Sequence, residues 1–463
     1  MAKPRIIVVS NRLPVNITDT AAGLILNRSI GGLATALATV ATKYPMLWIG
    51  WTGLNRRLSK KELVRLNMPE NLIPVSIPMY LLDRYYNRIA NGYFWPIMHG
   101  LKPTGLSQAA DWKAMDTVTT RFATAIQKHA EPDDLIWIHD YHLGLLPKEL
   151  RKRGVENRLG FFLHTPFPQP ETFMRWKHKK TLLRSLAQVD VLGFQTEKDV
   201  KNFKACLRVA DVQMRKGAVI RAFPIGIDFK AFRKAINVRP VANYLSGLRK
   251  LAKGEKVILS VSRLDYTKGI PEQLRAVETV LGLYKPGKVI YKLIVAPSRE
   301  SVSAYMELKE EIDRIVKEIN GEFYKNYHFR PVKYEYRSYG FDELNAWYRV
   351  ADVLLATPVA DGMNLIVKEY IAAHEGYNGS VVLSKMMGAS AQLSDAVQVN
   401  TLNVKDIAVG IVTALTMTAA ERRRRWQGLR KNVKKEDVFW WAESFIDALN
   451  KKESGPGSVS SSS

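Results

Sequence analysis

The chain has 463 residues, 46% of them hydrophobic and 10% aromatic, which suits two or three domains with large cores and excludes a disordered or fibrous protein. Its one cysteine, Cys206, excludes a disulfide framework and a thiolate metal cluster and fits a reducing, cytoplasmic setting. The net charge of +25 admits nucleic acid, membrane surfaces or anionic substrates, but the bases are scattered and form no aromatic-interleaved stripe, which favours a solvated basic surface over nucleic-acid recognition.

The N-terminus is basic, but its apolar run is too short for a signal peptide and continues as a strand. Residues 5–10 form that strand. Residues 15–28 read as a loop, residues 32–44 as an amphipathic helix and residues 46–51 as a second strand. An apolar segment follows at 73–78, then a strand at 135–138 with Asp140 just past its end. Residues 143–153 are helical, 159–163 a strand ending at His164, 191–194 a strand and 198–207 a helix. Between 229 and 255 the pattern weakens and basic and polar residues dominate, as in a linker. Strands resume at 257–261, 292–295, 332–336, 353–356 and 381–383. The weakly polar run 407–420 is shorter than a membrane span and holds three threonines and a glycine. The tail 453–463 is low-complexity and expected to be disordered.

Strand and helix alternate almost throughout, which predicts an α/β fold of two doubly wound, Rossmann-like domains facing across a cleft. The expected domains are 1–235 and 256–435, with a terminal helix at 436–452 packing back on the first. Ligands of such sheets sit beyond the carboxyl ends of the strands. Ser10-Asn-Arg12, His139-Asp140 and His164 fall at such ends.

Several stretches could carry chemistry. Thr357 to Tyr370 follows an apolar strand and opens a helix. Gly362 permits a tight turn, and the amides near Asn364 and Leu365 would face outward at a helix N-terminus, a site for anionic or hydroxyl-rich ligands. Asp361 and Glu369 frame them. The same residues also describe an ordinary capped helix. Arg263 and Lys268 share a loop before another helix start, and two cations there suit a diphosphate. Gly31 and Gly32 open a helix and could admit a phosphate, or mark a plain helix start. Arg12 and Arg299 as a pair suit a phosphate monoester, while Asp140, Tyr86 and Trp95 suit a sugar ring. The eight histidines show no metal-binding spacing, and no G-x-S-x-G elbow is present.

Ten stretches in order, among them Val9-Ser-Asn-Arg-Leu13, Trp48-Ile-Gly-Trp-Thr-Gly53, Ile136-Trp-Ile-His-Asp-Tyr-His-Leu143, Arg263-Leu-Asp-Tyr-Thr-Lys-Gly269 and Asp361-Gly-Met-Asn-Leu-Ile-Val-Lys-Glu-Tyr370, span nearly the whole chain. In these the chain resembles the trehalose-6-phosphate synthases, retaining glycosyltransferases of the GT-B type. The resemblance implies transfer of glucose from UDP-glucose, or another nucleoside-diphosphate glucose, to glucose 6-phosphate, with no cofactor or metal. It implies that Arg263, Lys268 and the Gly31–Gly32 turn hold the donor diphosphate. The amides of Leu365, Ile366, Val367, Lys368 and Glu369 would hold the nucleotide phosphates, and the Glu369 carboxylate the ribose. Asp361, the amides of Gly362, Met363 and Asn364, and His164 would hold the donor glucose, with Tyr339 and Leu344 bordering the base. Arg12, Tyr86, Trp95, Asp140 and Arg299 would bind the acceptor. His164, Arg263, Lys268 and Asp361 are the implied catalytic group. A separate trehalose-6-phosphate phosphatase is implied as pathway partner, and a homo-oligomer stays open. Two alternatives remain: another phosphorylated acceptor such as glycerol 3-phosphate, and a non-catalytic sugar-phosphate sensor or nucleic-acid binder.

Overall fold

A computed structural model describes residues 3–21, 23–28, 32–105, 107–235, 238–252, 254–299, 302–374, 376 and 378–451. Gly31 and the tail 453–463 lie outside the described residues. The chain forms two compact units: one runs to Phe223 and resumes at Trp441, and the other is Pro224–Trp440.

The first unit holds β1 (Ile6–Arg12), a hairpin of β2 (Val15–Thr20) and β3 (Gly23–Arg28), then β4 (Met46–Trp51), β5 (Leu72–Val75), β6 (Leu135–His139), β7 (Leu159–Phe162), β8 (Val191–Phe194) and β9 (Val219–Ala222). Its seven-stranded sheet runs β5-β4-β1-β6-β7-β8-β9, with every pairing parallel. Ile6, Ile7, Val8 and Val9 of β1 and Ile136, Trp137 and Ile138 of β6 have no solvent exposure, as the central strands of a sheet covered on both faces require.

The second unit holds β10 (Lys256–Arg263), β11 (Val289–Ala296), β12 (Val332–Tyr336), β13 (Val353–Ala356), β14 (Ser380–Ser384) and β15 (Val397–Val399). Their order is β12-β11-β10-β13-β14-β15, again all parallel. In both sheets the strand order reverses once, between β1 and β6 and between β10 and β13. A reversal leaves a crevice at the carboxyl ends of two adjacent strands, because their following loops depart in opposite directions. Arg12 and Arg263 are the last residues of β1 and β10, and the loops after β6 and β13 carry Asp140 and Asp361.

Two expectations about local structure are corrected. Residues 15–28 are not a loop: Val15 to Thr20 pair antiparallel with Gly23 to Arg28. The alternation of buried Val15 and Ile17 with more exposed neighbours was present in the sequence, but the strands are short and their turn lacks an Asn-Gly signal. Residues 229–255 are not an extended linker either. They contain helices Phe229–Ala235 and Arg239–Ala252, and buried Val241 and Leu245 pack on Ala346 of helix Phe341–Val350. The apolar positions recur four apart, but surrounding basic residues on the exposed face hid the stripe.

The last helix explains two glycines in the first sheet. A Cβ on Gly160 would stand 2.6 Å from the Phe445 ring, and one on Gly193 2.8 Å from it. The strands are bare where this ring lies. Phe445 also stacks on Trp137, with centroids 4.6 Å apart and planes 12° from parallel. Among the described residues, no helix is long and apolar enough to cross a membrane.

Candidate active site

In the first unit the predicted acceptor residues converge through aromatic contacts. Arg12, at the end of β1, lies over the Trp51 ring at 4.8 Å and donates to Asn16 Oδ1 at 3.3 Å. Trp51 meets Tyr86 edge-on at 5.9 Å, and Tyr86 stacks against His142 at 5.9 Å. His142 stacks on Tyr141 at 4.0 Å, and Tyr141 lies 5.7 Å from Trp95. Arg12, Tyr86 and Trp95 thus share one aromatic wall. Tyr86 is placed by a π-helical stretch, Asp83–Phe94, that sequence reasoning did not anticipate. Wide helical turns of this kind are rare and often sit at functional sites.

Asp140 joins this wall to His164. Its Oδ1 accepts the His164 amide at 3.2 Å. Its backbone holds φ 72° and ψ 163°, a region that side-chain-bearing residues seldom occupy. Such strain persists only where the surroundings over-determine it, and here the β6 and β7 ends do so: the Asp140 amide donates to the Phe162 carbonyl at 2.8 Å. The His164 Nε2 lies 3.1 Å from His139 Nδ1. Burial lowers the pKa of both rings, well below the usual range for His139 and to about 3 for His164, so both are neutral.

In the second unit the loops after β10 and β13 are bound together. Lys268 Nζ donates to Asp361 Oδ2 at 2.7 Å, and Asn364 Nδ2 donates to the same oxygen at 3.2 Å. The Val359 amide donates to the Thr267 carbonyl at 2.8 Å. Gly269 sits between the loops at φ +64°, where a Cβ would stand 2.6 Å from the Thr357 carbonyl oxygen. Gly269→Ala is therefore expected to cost about 1–3 kcal/mol, from left-handed strain and a backbone clash. Chemical denaturation measures it, and an unchanged midpoint would show that the loops separate freely.

Helix Leu365–Ala373 begins at Asn364, which has φ 73° and whose side chain does not cap the helix. Helix geometry leaves the amides of Asn364, Leu365, Ile366 and Val367 without acceptors inside the helix. The amides of Lys368 and Glu369 fall within the helical bonding pattern, so they are not available to a phosphate as expected from sequence. The Lys368 side chain also turns inward, donating to the Ile225 carbonyl at 2.7 Å. Gly362 and Met363 are buried, and the Met363 carbonyl accepts from the Ala389 amide at 3.1 Å.

Arg263 and Arg299 both approach Asp265 Oδ2, at 3.8 and 3.7 Å. Asp265 is fully buried. Burial alone would raise its pKa, but Arg299, Lys268 and Arg263, with the Thr267 amide, hold it below the usual carboxylate value. This carboxylate gathers the cations of the loop. Arg299 also donates to the Tyr305 hydroxyl. It lies beside the Arg263 loop in the second unit, while Arg12, Tyr86, Trp95 and Asp140 belong to the first.

Tyr339 donates to Glu335 at 2.6 Å, and the Arg337 guanidinium lies 3.8 Å over its ring. The neighbouring Leu344 amide caps back to the Gly340 carbonyl at 3.0 Å. Glu369 Oε2 accepts from the Tyr348 hydroxyl at 2.8 Å. Desolvation raises its pKa to about 7, against the lowering effect of Tyr348.

Glu369 thus gives a signed pH prediction. The folded residue keeps its proton up to about 7, whereas a free glutamate releases it near 4.5. The folded state binds more protons between these values, so stability is fully present below about 4.5 and declines as pH rises through about 7. Lys368 acts in the opposite sense and over a higher window: burial lowers its pKa to about 7 from 10.5, so its contribution rises with pH across that range. Glu369→Gln should remove the decline below pH 7 and leave the rise above it. Because Glu369 keeps some solvent contact, the change is expected on the order of 1–2 kcal/mol. Denaturation curves across pH check it; a profile identical to that of the parent protein would rule it out.

Sequence reasoning gave no site role to Trp51, Tyr141, His142 or Asp265, and placed His139 only at a strand end. All five lie inside the quoted motifs, so their position was visible. Their contacts depend on neighbours far away in sequence.

Two doubly wound units, each with polar residues gathered at the reversal of its strand order, make the GT-B class of glycosyltransferase. The chain belongs to glycosyltransferase family 20, whose profile matches residues 4–451. It is 36% identical over 470 residues to an alpha,alpha-trehalose-phosphate synthase [UDP-forming] of Botryotinia fuckeliana, covering 97% of this chain and 89% of that one. It is 34% identical over 464 residues to alpha,alpha-trehalose-phosphate synthase [UDP-forming] A of Dictyostelium discoideum, covering 97% of this chain but only 63% of the relative. A solved structure described as trehalose-6-phosphate from E. coli bound with UDP-2-fluoro glucose matches with a TM-score of 0.86 and 34% identity, over 97% of this chain and 99% of the other.

Proposed function

We propose that the chain transfers glucose from UDP-glucose to glucose 6-phosphate, forming α,α-trehalose 6-phosphate and UDP with retention at the anomeric carbon. The observation that carries this reading is the joined pair of loops in the second unit. Lys268, Arg263 and the open amides of Asn364 to Val367 offer positive potential at one strand-order reversal. A diphosphate bound there gains negative charge as the glycosidic bond breaks, so fixed donors stabilise the transition state more than the ground state. The first unit takes the acceptor: Arg12 suits its phosphate, and the Tyr86–Trp95 wall with Asp140 suits the sugar ring.

Glu369 suits the ribose, with Tyr339 and Leu344 beside the base. The reaction proceeds by front-face displacement. The acceptor hydroxyl attacks from the side on which UDP leaves, and a diphosphate oxygen takes its proton. The carboxylate pair of a retaining glycosidase would stand about 5 Å apart, one of the two acting as nucleophile. Here Asp361 is engaged by Lys268 and Asn364, and no nucleophilic role is assigned to it. The chain's own cations and amides balance the diphosphate charge, so we assign no metal or cofactor to the step. A cytosolic setting and a separate phosphatase acting on the product complete the reading.

The test is a matrix of nucleoside-diphosphate glucoses against phosphorylated acceptors, with UDP release and the disaccharide phosphate measured, each with and without EDTA. Turnover with UDP-glucose and glucose 6-phosphate, insensitive to EDTA, is the expected result. No turnover with any donor would overturn the proposal, and a preference for glycerol 3-phosphate would replace its acceptor.

A further inference from the structure

His139 is the last residue of β6 and has no solvent exposure. It lies among Trp137, Phe162 and Trp441, with ring centroids 4.6, 6.4 and 6.3 Å away. Its Nδ1 is 3.1 Å from His164 Nε2, and its own Nε2 is buried without a hydrogen-bond partner. A fully buried histidine that pairs only with a second histidine is an expensive arrangement. A phenylalanine would fill the same aromatic slot without stranding a polar atom.

The geometry points to His139 as a positioning residue that sets the tautomer of His164. Two neutral imidazoles that share one hydrogen bond have only two arrangements. In one, His139 carries its proton on Nδ1 and donates to His164 Nε2. In the other, His164 donates from Nε2, and His139 must carry its proton on the partnerless Nε2. The second leaves a buried N–H among indole and phenyl rings with no oxygen to receive it, and an orphaned buried donor is the rarer and costlier case. The first leaves only an unused lone pair there. His139 therefore donates, and the remaining proton of His164 lies on Nδ1.

The consequence is chemical. With Nε2 occupied as an acceptor, His164 meets a ligand through Nδ1–H, as a donor only. It is a hydrogen-bond donor to a sugar or phosphate oxygen and not a general base. This assignment deepens the proposed function, since the ligand oxygen belongs to the donor substrate of that reading. It also agrees with a mechanism in which the leaving diphosphate, not a side chain, receives the proton. Asp140 supports the same end by accepting the His164 amide, which fixes the backbone while His139 fixes the ring.

The first measurement needs no turnover. Nitrogen-15 histidine NMR of the unliganded protein should assign the proton to Nδ1 in both His139 and His164. A proton on His164 Nε2 overturns the inference, whatever the enzyme's activity. The second compares His139→Asn with His139→Phe. Asparagine can place an amide donor near the former Nδ1, whereas phenylalanine keeps the aromatic packing and removes the donor. His139→Phe should lower kcat/KM for the nucleotide sugar about 10–100-fold, the usual cost of losing an orienting partner, with the KM for the sugar phosphate unchanged. His139→Asn should recover at least part of that loss. A fully active His139→Phe, or an asparagine variant no better than it, would show that His139 serves packing alone. If the activity matrix fails altogether while the NMR shows Nδ1 protonation, the substrate assignment falls and the tautomer relation stands.

Discussion

Arg263→Ala is expected to slow glucose transfer by about 2–4 kcal/mol of barrier, the range for removing one charge-assisted contact to a departing oxyanion. Arg263 closes β10, is half exposed, and approaches the buried Asp265 at 3.8 Å. Its loss leaves Arg299 at 3.7 Å from the same carboxylate, so the loop keeps an internal counter-charge and should stay folded. The effect should therefore appear mainly in kcat, with little change in denaturation midpoint. Arg263→Lys should fall between the two, because an ammonium keeps the charge but loses the planar fork that matches two phosphate oxygens. Steady-state kinetics with UDP-glucose decide it. An unchanged kcat/KM in the alanine variant removes Arg263 from the reaction.

The second large effect concerns stability. Trp441→Ala should destabilise the first unit by about 3–5 kcal/mol, as expected for truncating a fully buried tryptophan. Trp441 has no solvent exposure and meets Trp137 at 4.9 Å and Phe162 edge-on at 5.4 Å. It also lies 6.3 Å from His139 and 6.2 Å from His164. The cavity would open beside the histidine pair as well as in the core, so activity should fall together with stability. Trp441→Phe should lose less of both. Denaturant unfolding measures the cost, and a loss below about 1 kcal/mol would mean that the site collapses around the smaller side chain.

Arg263 and Trp441 also show how much was legible in the sequence. Arg263 follows an apolar run and precedes Lys268, Gly269 and a helix, so its placement at a strand end could be read directly. The same reasoning located Arg12, Asp140, His164 and the Asp361 turn, because period-two and helical patterns persist without tertiary context. The hairpin at Val15–Arg28 and the helix Arg239–Ala252 were missed because short or strongly charged elements owe their order to what they pack on. The π-helical stretch at Asp83–Phe94 has no composition signal at all.

The sequence by itself determined the α/β alternation, the strand-end positions of the candidate residues and the family. Only the tertiary structure decided which of those residues act together. The order of strands in a parallel sheet is set by long crossovers and not by local pattern, so the reversals at β1–β6 and β10–β13 could not be read from periodicity. The pairing of Lys268 with Asp361, the gathering of Arg263 and Arg299 at Asp265, and the contact of His139 with His164 all join residues 2 to 93 positions apart. Side-chain direction and burial at those distances are products of packing, which is why Lys368 turned inward and His139 became part of the site.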